Sequence, residues 1–186
     1  MSAAPTRRTA LSWGFAAAAA AATPALADLE LDGPGRLYRR YALLVVGPRD
    51  DATGLVLTRA VVDILARFQD TSRAQVARAA TTQRAGLLIG TDQRDLAVMS
   101  RPSAEALFRA RPPFDNLHDV PLRTLVSFGS HLLVCRTDFL DRHAYLVAKT
   151  LSEHPDALPE APRRPEGAVP IHQGAAAYFT GQVMPA

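Results

Sequence analysis

The sequence predicts an α/β fold, with one doubly wound, mostly parallel sheet in a single domain. Three observations predict it. Short apolar runs rich in β-branched residues alternate with segments whose apolar residues recur at helical spacing. Glycine and proline turns separate these segments. The composition, 48% hydrophobic and 21% charged over 186 residues, allows one buried core. Alternating strands and helices are typical of parallel sheets with helical crossovers.

The first predicted unit is a strand, a loop and a helix. Residues 41–47 form an apolar run that ends in a turn-rich loop, which predicts a buried strand. The next segment carries apolar residues three and four positions apart, as one face of a helix requires. Either Asp51 or Thr53 can cap its N-terminus. The expected buried positions of this helix are Leu57, Val61, Ile64, Leu65 and Phe68.

Two further strand and helix pairs follow the first unit. A glycine ends the earlier helix, and a proline opens the later one, where its missing N–H group costs nothing. The predicted bounds are strand 75–80, helix 82–89 before Gly90, strand 95–100, and a helix from Pro102 and Ser103 to Arg109.

The second half of the chain completes the fold. Two strand-like runs within 122–136 are divided by Gly129 and Ser130, and a helix follows them. Prolines interrupt residues 155–170 five times, which predicts an extended surface segment. The domain therefore covers 28–154, and residues 171–186 are expected to dock back onto it. The predicted buried face of the helix comprises Leu140, Ala144, Val147, Ala148 and Leu151.

Residues 1–27 have the pattern of an export signal peptide. Arg7 and Arg8 precede a short, alanine-rich apolar stretch, and residues 23–27 form a small-residue cleavage site. Paired arginines favour the twin-arginine route, although the general secretory route also tolerates such sequences. The apolar stretch of roughly a dozen residues is shorter than the ~20 that a membrane span needs. We expect a periplasmic protein whose mature chain is not inserted in the membrane.

The net charge bears on nucleic-acid binding, and the cysteine content bears on thiol chemistry. Removing the two signal-peptide arginines lowers the formal net charge from +3 to +1, and the remaining basic residues are interspersed with acids. We therefore expect no nucleic-acid partner. Cys135 is the single cysteine and lies in an apolar run, which predicts a buried and inert thiol.

Two loops are the predicted ligand site. Residues 51–54 follow the first strand, and Ser100 and Arg101 follow the third. Carboxyl ends of parallel strands share one edge, where helix N-termini offer N–H groups to anions. The two loops can thus present hydroxyl, N–H and guanidinium groups to a carboxylate or phosphate. The alternative is that Thr53 and Ser103 only cap helices while Arg101 is solvated.

Enzyme motifs are missing from the sequence. The five histidines do not pair four residues apart, and no carboxylate completes a metal-ligand pattern with them. The nucleophile elbow, the phosphate-binding loop and the dinucleotide fingerprint are also absent. We expect no catalytic residues, no metal and no cofactor.

Several segments together resemble the solute-binding subunits of tripartite (TRAP) transporters of the TAXI family. The segments are 47–54, 81–88, 95–100, 122–125 and 132–136. The most specific one is 169–175 followed by Tyr178, which is similar to the closing proline-x-His-Pro-Gly-Ala motif of that family. Gln173 replaces the second proline of the motif.

The resemblance implies a lobe of a periplasmic binding protein. Members of the family have two such lobes, and we expect this chain to lack one of them. The implied function is to bind a small organic acid or amino acid for the membrane subunits of a TRAP-type transporter, without catalysis. The implied ligand-binding residues are Thr53, Gly54, Arg84, Ser100 and Arg101. The alternative is a ligand-free accessory or sensory protein that binds a protein partner through the exposed cleft face.

Overall fold

Five strands form one mixed sheet in the computed structural model, which describes residues 42–69 and 72–185. The predicted signal peptide lies outside the described residues. Each strand begins or ends within one or two residues of a strand predicted from the sequence. The strands are β1 (Leu44–Pro48), β2 (Gln75–Ala79), β3 (Leu96–Ser100), β4 (Leu122–Phe128) and β5 (His131–Arg136).

The order of strands across the sheet is β2-β1-β3-β5-β4. Strand β1 pairs in parallel with β2 and with β3, whereas β5 is antiparallel to both β3 and β4. Four strands therefore run in one direction and β5 runs against them. The carboxyl ends of β1, β2 and β3 share an edge with the tip of the hairpin between β4 and β5. We call this the carboxyl edge.

Helices cover both faces of the sheet, which confirms the α/β prediction. Alternate strand residues face opposite sides. Val45 and Val98 belong to the core with α1, α4 and α5, whereas Val46 and Met99 belong to the core with α2 and α3. The helices are α1 (Ala52–Phe68), α2 (Thr82–Gly90), α3 (Arg101–Phe108), α4 (Asp141–Glu153) and α5 (Gln173–Phe179).

Two core predictions are wrong, and both concern residues at helix ends. Leu140 is the N-cap residue of α4 and is 62% exposed, because the helix begins one residue after it. Phe68 is the last residue of α1 and is 45% exposed, and its ring stacks on His154 with the ring centroids 3.6 Å apart. The other residues of the two predicted helix faces are buried as expected.

Cys135 is fully buried in β5. This burial raises the pKa of its thiol well above the ordinary value, because a thiolate would lose its solvation there. The expectation of a buried cysteine is confirmed.

The proline-containing segment pairs with the outer edge of β4. Thr124 donates its N–H to the carbonyl of Pro170 at 2.8 Å and accepts from the N–H of His172 at 2.9 Å. Ser127 and Arg163 exchange two further backbone hydrogen bonds. A short 3-10 turn, Pro155–Ala157, opens the segment. The segment is thus extended as predicted, and isolated bridges at Arg163 and Ile171 attach its backbone to the edge of the sheet.

His172 fixes the start of α5 and is 2% exposed. Its Nδ1 accepts the N–H of Gly174 at 3.2 Å and lies 3.5 Å from Asp141 Oδ1. Burial lowers the pKa of His172 below its ordinary 6.5, although the Asp141 carboxylate opposes that shift. A neutral Nδ1 is required for the cap, since a protonated one could not accept the N–H of Gly174.

We expect stability to fall as the pH drops below 6.5, because the folded state binds fewer protons at His172 than the unfolded state does. This contribution is fully present above 6.5 and is lost as the pH falls through the lowered pKa, by at most about 1.4 kcal/mol per pH unit. Urea unfolding at about pH 7.5 and about pH 5.5 measures it. His172→Asn retains a side-chain acceptor for Gly174 and should flatten the profile. His118→Asn, at an exposed site, should leave the profile unchanged.

Candidate functional site at the carboxyl edge

A carboxylate of the chain joins the loop after β1 to the start of α2. The Asp50 carboxylate accepts the N–H of Thr82 at 2.8 and 3.0 Å and the hydroxyl of Thr82 at 2.9 Å. Backbone N–H groups at a helix N-terminus attract anions, and the Asp50 side chain is the anion bound at the start of α2. The first predicted loop and the helix that carries Arg84 are therefore adjacent.

Asp51 performs two tasks at the start of α1. Its Oδ1 accepts the N–H of Gly54 at 2.9 Å, which makes it the N-cap of the helix. Its Oδ2 lies 2.8 Å from Nε2 of His131, the first residue of β5. The side chain of Asp51 is 19% exposed and that of His131 is 7% exposed. Of the two predicted cap residues, Asp51 is the one observed.

The hairpin tip connects α1 to the end of β3. His131 is in register with Ser100, and the carbonyl of Ser130 accepts the N–H of Arg101 at 2.8 Å. The hydroxyl of Ser130 lies 2.9 Å from Nδ1 of His131. Hydrogen bonds thus bring together the loop after β1, the loop after β3 and the hairpin tip. The two loops are juxtaposed as their positions after parallel strands predict.

Thr53, Arg84 and Ser100 lie at the carboxyl edge. Thr53 is exposed in the first turn of α1, and Arg84 is exposed in the first turn of α2. Ser100 is half-buried at the end of β3, and its hydroxyl donates to that of Ser103 at 2.8 Å. A ligand on this edge can therefore reach Thr53 and Arg84 directly, and Ser100 lies partly open to it.

Gly54 and Arg101 are used by the fold itself. The N–H of Gly54 is bonded to Asp51, and an added Cβ on this buried glycine would lie 2.7 Å from Asp51 Oδ2. The Arg101 guanidinium donates to the carbonyls of Glu166 and Gly129 and to the hydroxyl of Ser127. It thereby fastens α3 to the hairpin tip and to the proline-containing segment.

We expect Arg101→Ala to lower the free energy of unfolding by about 1.5–3 kcal/mol, since hydrogen bonds that involve a charged group contribute this much. Arg101→Lys should restore little of this free energy of unfolding, because an ammonium cannot span three acceptors as a planar guanidinium does. Arg109→Ala, at an exposed position that follows the same helix, should change stability by about 0.5 kcal/mol or less. Equal effects of the two alanine variants in urea unfolding would contradict the structural role.

Three residues of this edge, Asp50, Ser130 and His131, were not predicted as part of it. Asp50 and Asp51 are adjacent acids after a buried strand, and His131 opens another strand that starts at the same edge in space. Nothing in the local sequence links them, because His131 is 80 positions from Asp51. The one signal is the two-residue connection at Gly129 and Ser130. It requires a hairpin, which puts the start of β5 at the carboxyl edge.

A pocket of about 400 Å³ lies at the opposite edge of the sheet. Arg136 lines it and is engaged by two carboxylates, with Nε 3.3 Å from Asp92 Oδ1 and 3.2 Å from Asp138 Oδ1. The same guanidinium donates to the carbonyl of Gly90 at 3.3 Å. This cation is already neutralised and the pocket lies away from the N-termini of α1, α2 and α3, so we place the candidate site at the carboxyl edge instead.

Within residues 42–69 and 72–185, no group of three or more histidine, cysteine or acidic side chains could hold a metal ion. The helices in this part of the chain are all too short or too polar to cross a membrane. Comparison with known protein families gives no matching family, and comparison with curated proteins gives no match.

Proposed function

We propose that this protein is an exported solute-binding protein of a TRAP-type transport system, similar to the TAXI subunits. It binds a small organic acid or amino acid at the carboxyl edge and passes it to the membrane subunits of the transporter. The observation that carries the proposal is the convergence of the loop after β1, the loop after β3 and the start of α2 at that edge. Ligands of open parallel sheets bind where helix N-termini and strand ends meet.

The charges at the edge favour an amino acid over a dicarboxylate. Asp50 and Asp51 already occupy N–H positions at the starts of α2 and α1, so a ligand carboxylate would have to displace them. The exposed Arg84 guanidinium can bind a carboxylate as a planar pair. The exposed Asp50 carboxylate, which is bonded to Thr82 at the start of the same helix, can accept from an ammonium group. A zwitterion satisfies both side chains.

Thr53 and Arg84 are exposed at the carboxyl edge, so a ligand held there is enclosed less than the 70–90% that is usual for small-molecule pockets. Fewer contacts then have to offset the entropy that the ligand loses on binding. We therefore expect dissociation constants in the range of about 0.1–1 mM, equivalent to roughly −4 to −5.5 kcal/mol. Thermal shifts should be measured at ligand concentrations well above this range.

A thermal-shift screen tests the proposal, because a ligand that binds only the native state raises the melting temperature. The panel comprises amino acids, monocarboxylates, dicarboxylates and phosphate. We expect a selective shift with one amino acid or a small group of them. Arg84→Gln should abolish that shift, whereas the matched variant Arg59→Gln, exposed on α1, should retain it.

A flat panel from a folded protein would overturn the proposal. In that case size-exclusion chromatography of the same sample tests the alternative, a partner-binding accessory protein, by measuring whether the chain self-associates. Self-association would support the alternative. A shift that survives Arg84→Gln and Thr53→Ala would place the ligand outside the carboxyl edge.

A further inference from the structure

Three side chains at the hairpin tip form a continuous hydrogen-bonded series. Ser130 Oγ lies 2.9 Å from His131 Nδ1, and His131 Nε2 lies 2.8 Å from Asp51 Oδ2. Asp51 is held in turn by the N–H of Gly54 at 2.9 Å. The series runs from an exposed serine residue, through a buried imidazole, to a carboxylate fixed at a helix N-terminus.

For the neutral form of His131, the direction of each hydrogen bond in this series follows from the chemistry of its ends. An ionised carboxylate can only accept, so the neutral imidazole carries its proton on Nε2 and donates it to Asp51. Nδ1 then has a free lone pair and must accept. Ser130 therefore donates its hydroxyl proton to Nδ1. A serine polarised by a histidine that a carboxylate orients is the arrangement of an activated nucleophile.

We propose that Ser130 is a nucleophile for acyl transfer, with His131 as its general base and Asp51 as the residue that positions His131. The reaction is hydrolysis of a small, uncharged ester. Gly129 and Ser130 are both exposed, so an ester can approach the hydroxyl. A Cβ added at Gly129 would lie 2.5 Å from Glu160 Oε2, which puts a carboxylate beside the tip and disfavours anionic esters. The reaction lies at the same carboxyl edge but uses none of Thr53, Arg84 and Ser100, the side chains open to the proposed ligand.

The reaction proceeds in two balanced steps. Ser130 Oγ attacks the carbonyl carbon and forms a C–O bond while its proton moves to His131 Nδ1. The bond to the departing alcohol oxygen breaks, and that oxygen takes the proton from Nδ1. Water then attacks the acyl group on Ser130 and gives a proton to Nδ1. The carboxylic acid leaves as Ser130 regains that proton, so the net reaction consumes one ester and one water.

A fluorophosphonate probe tests the nucleophile on the whole protein. Ser130 displaces fluoride and forms a stable phosphonyl ester. Cleavage with trypsin after Arg123 and Arg136 yields peptide 124–136, in which mass spectrometry can distinguish Ser130 from the buried Ser127. We expect modification at Ser130. Hydrolysis of p-nitrophenyl acetate, followed in parallel, should be lost in Ser130→Ala and retained in Ser72→Ala, a serine that bonds to the carbonyl of Leu65.

The Asp51→Asn variant tests whether Asp51 positions His131, without changing Ser130 or His131 themselves. Asparagine is an equally good N-cap, so α1 should stay intact. Its amide group can donate to Nε2, which would move the ring proton to Nδ1 and leave Ser130 without a base. We expect modification to slow by about 100-fold or more, the usual contribution of a general base. Nitrogen-15 chemical shifts of the His131 ring should report the change of tautomer independently of any activity.

Two results would overturn the proposal. The first is modification no faster than in Ser130→Ala, or located on another serine. The second is an Asp51→Asn variant that reacts at the wild-type rate while its ring tautomer has changed. Either outcome would make the series a structural tie between the hairpin and α1, and neither would bear on ligand binding through Arg84.

Discussion

Replacing Phe114 with alanine should lower the free energy of unfolding by about 3–5 kcal/mol, the range for a buried phenylalanine. The side chain is fully buried in the core between the sheet and helices α2 and α3. Its ring edge is pressed against Gly86 of α2, where an added Cβ would overlap the Cε1 atom of the ring. Equilibrium unfolding in urea measures the loss. A cost below about 1 kcal/mol would mean that Phe114, in the loop between α3 and β4, does not pack against α2.

Gly86 offers a matched test of the same contact. Gly86→Ala should destabilise the wild-type protein, because the new methyl group and the Phe114 ring cannot both fit. The same change in a Phe114→Leu background should be neutral or stabilising by up to about 1 kcal/mol, since leucine lacks the ring edge and alanine favours helix by that amount. This difference is the coupling energy of the pair. Additive effects would contradict the contact.

Replacing Gly174 with alanine should cost about 3 kcal/mol, the upper part of the range for overpacking. An added Cβ would overlap the backbone oxygen of Asp141, at the start of α4. A backbone oxygen within a helix cannot rotate away as a side chain can, so α5 must lift from α4. The start of α5 is also held by Gln173, whose Nε2 donates to Asp141 Oδ2 at 2.7 Å.

Ala176→Gly in the same helix is the control for this prediction. It removes a Cβ from a half-buried helical position and should cost about 1 kcal/mol through backbone entropy. Urea unfolding compares the two variants directly. A cost of Gly174→Ala no greater than that of the control would show that α4 and α5 leave room for a methyl group between them. This close packing and the cap from His172 give Gly174 and His172 defined structural roles at the start of α5.

The order and type of the elements could be predicted because each carries its own local signal. The run 96–100 is apolar on both faces, and Gly90 ends α2, so the sequence itself specifies the strand and the end of the helix. Leu140 was assigned wrongly because its spacing fits the buried face while the helix starts after it. Phe114 was missed because loop residues have no periodicity to show burial.

The candidate site was predictable only as a location. Strand ends and helix starts identify the carboxyl edge, and Thr53, Arg84 and Ser100 lie there. Hydrogen bonds across the edge, such as that between Asp51 and His131, depend on which strands become neighbours. The order of the strands is determined by the packing of the whole sheet. The sequence contains no local record of β5 lying between β3 and β4, so the use of Gly54 and Arg101 by the fold could not be foreseen.

The pairing of β4 with Arg163 and Pro170 has a consequence for the protein during its synthesis. Strand β4 leaves the ribosome about forty residues before the segment that covers its outer edge, as the positions of Thr124 and Ser127 relative to Arg163 and Pro170 show. In that interval the nascent sheet presents unpaired N–H and C=O groups, which can add a strand from another molecule. Incomplete chains can thus self-associate through the outer edge of β4, and residues 163–172 cover that edge once they have emerged.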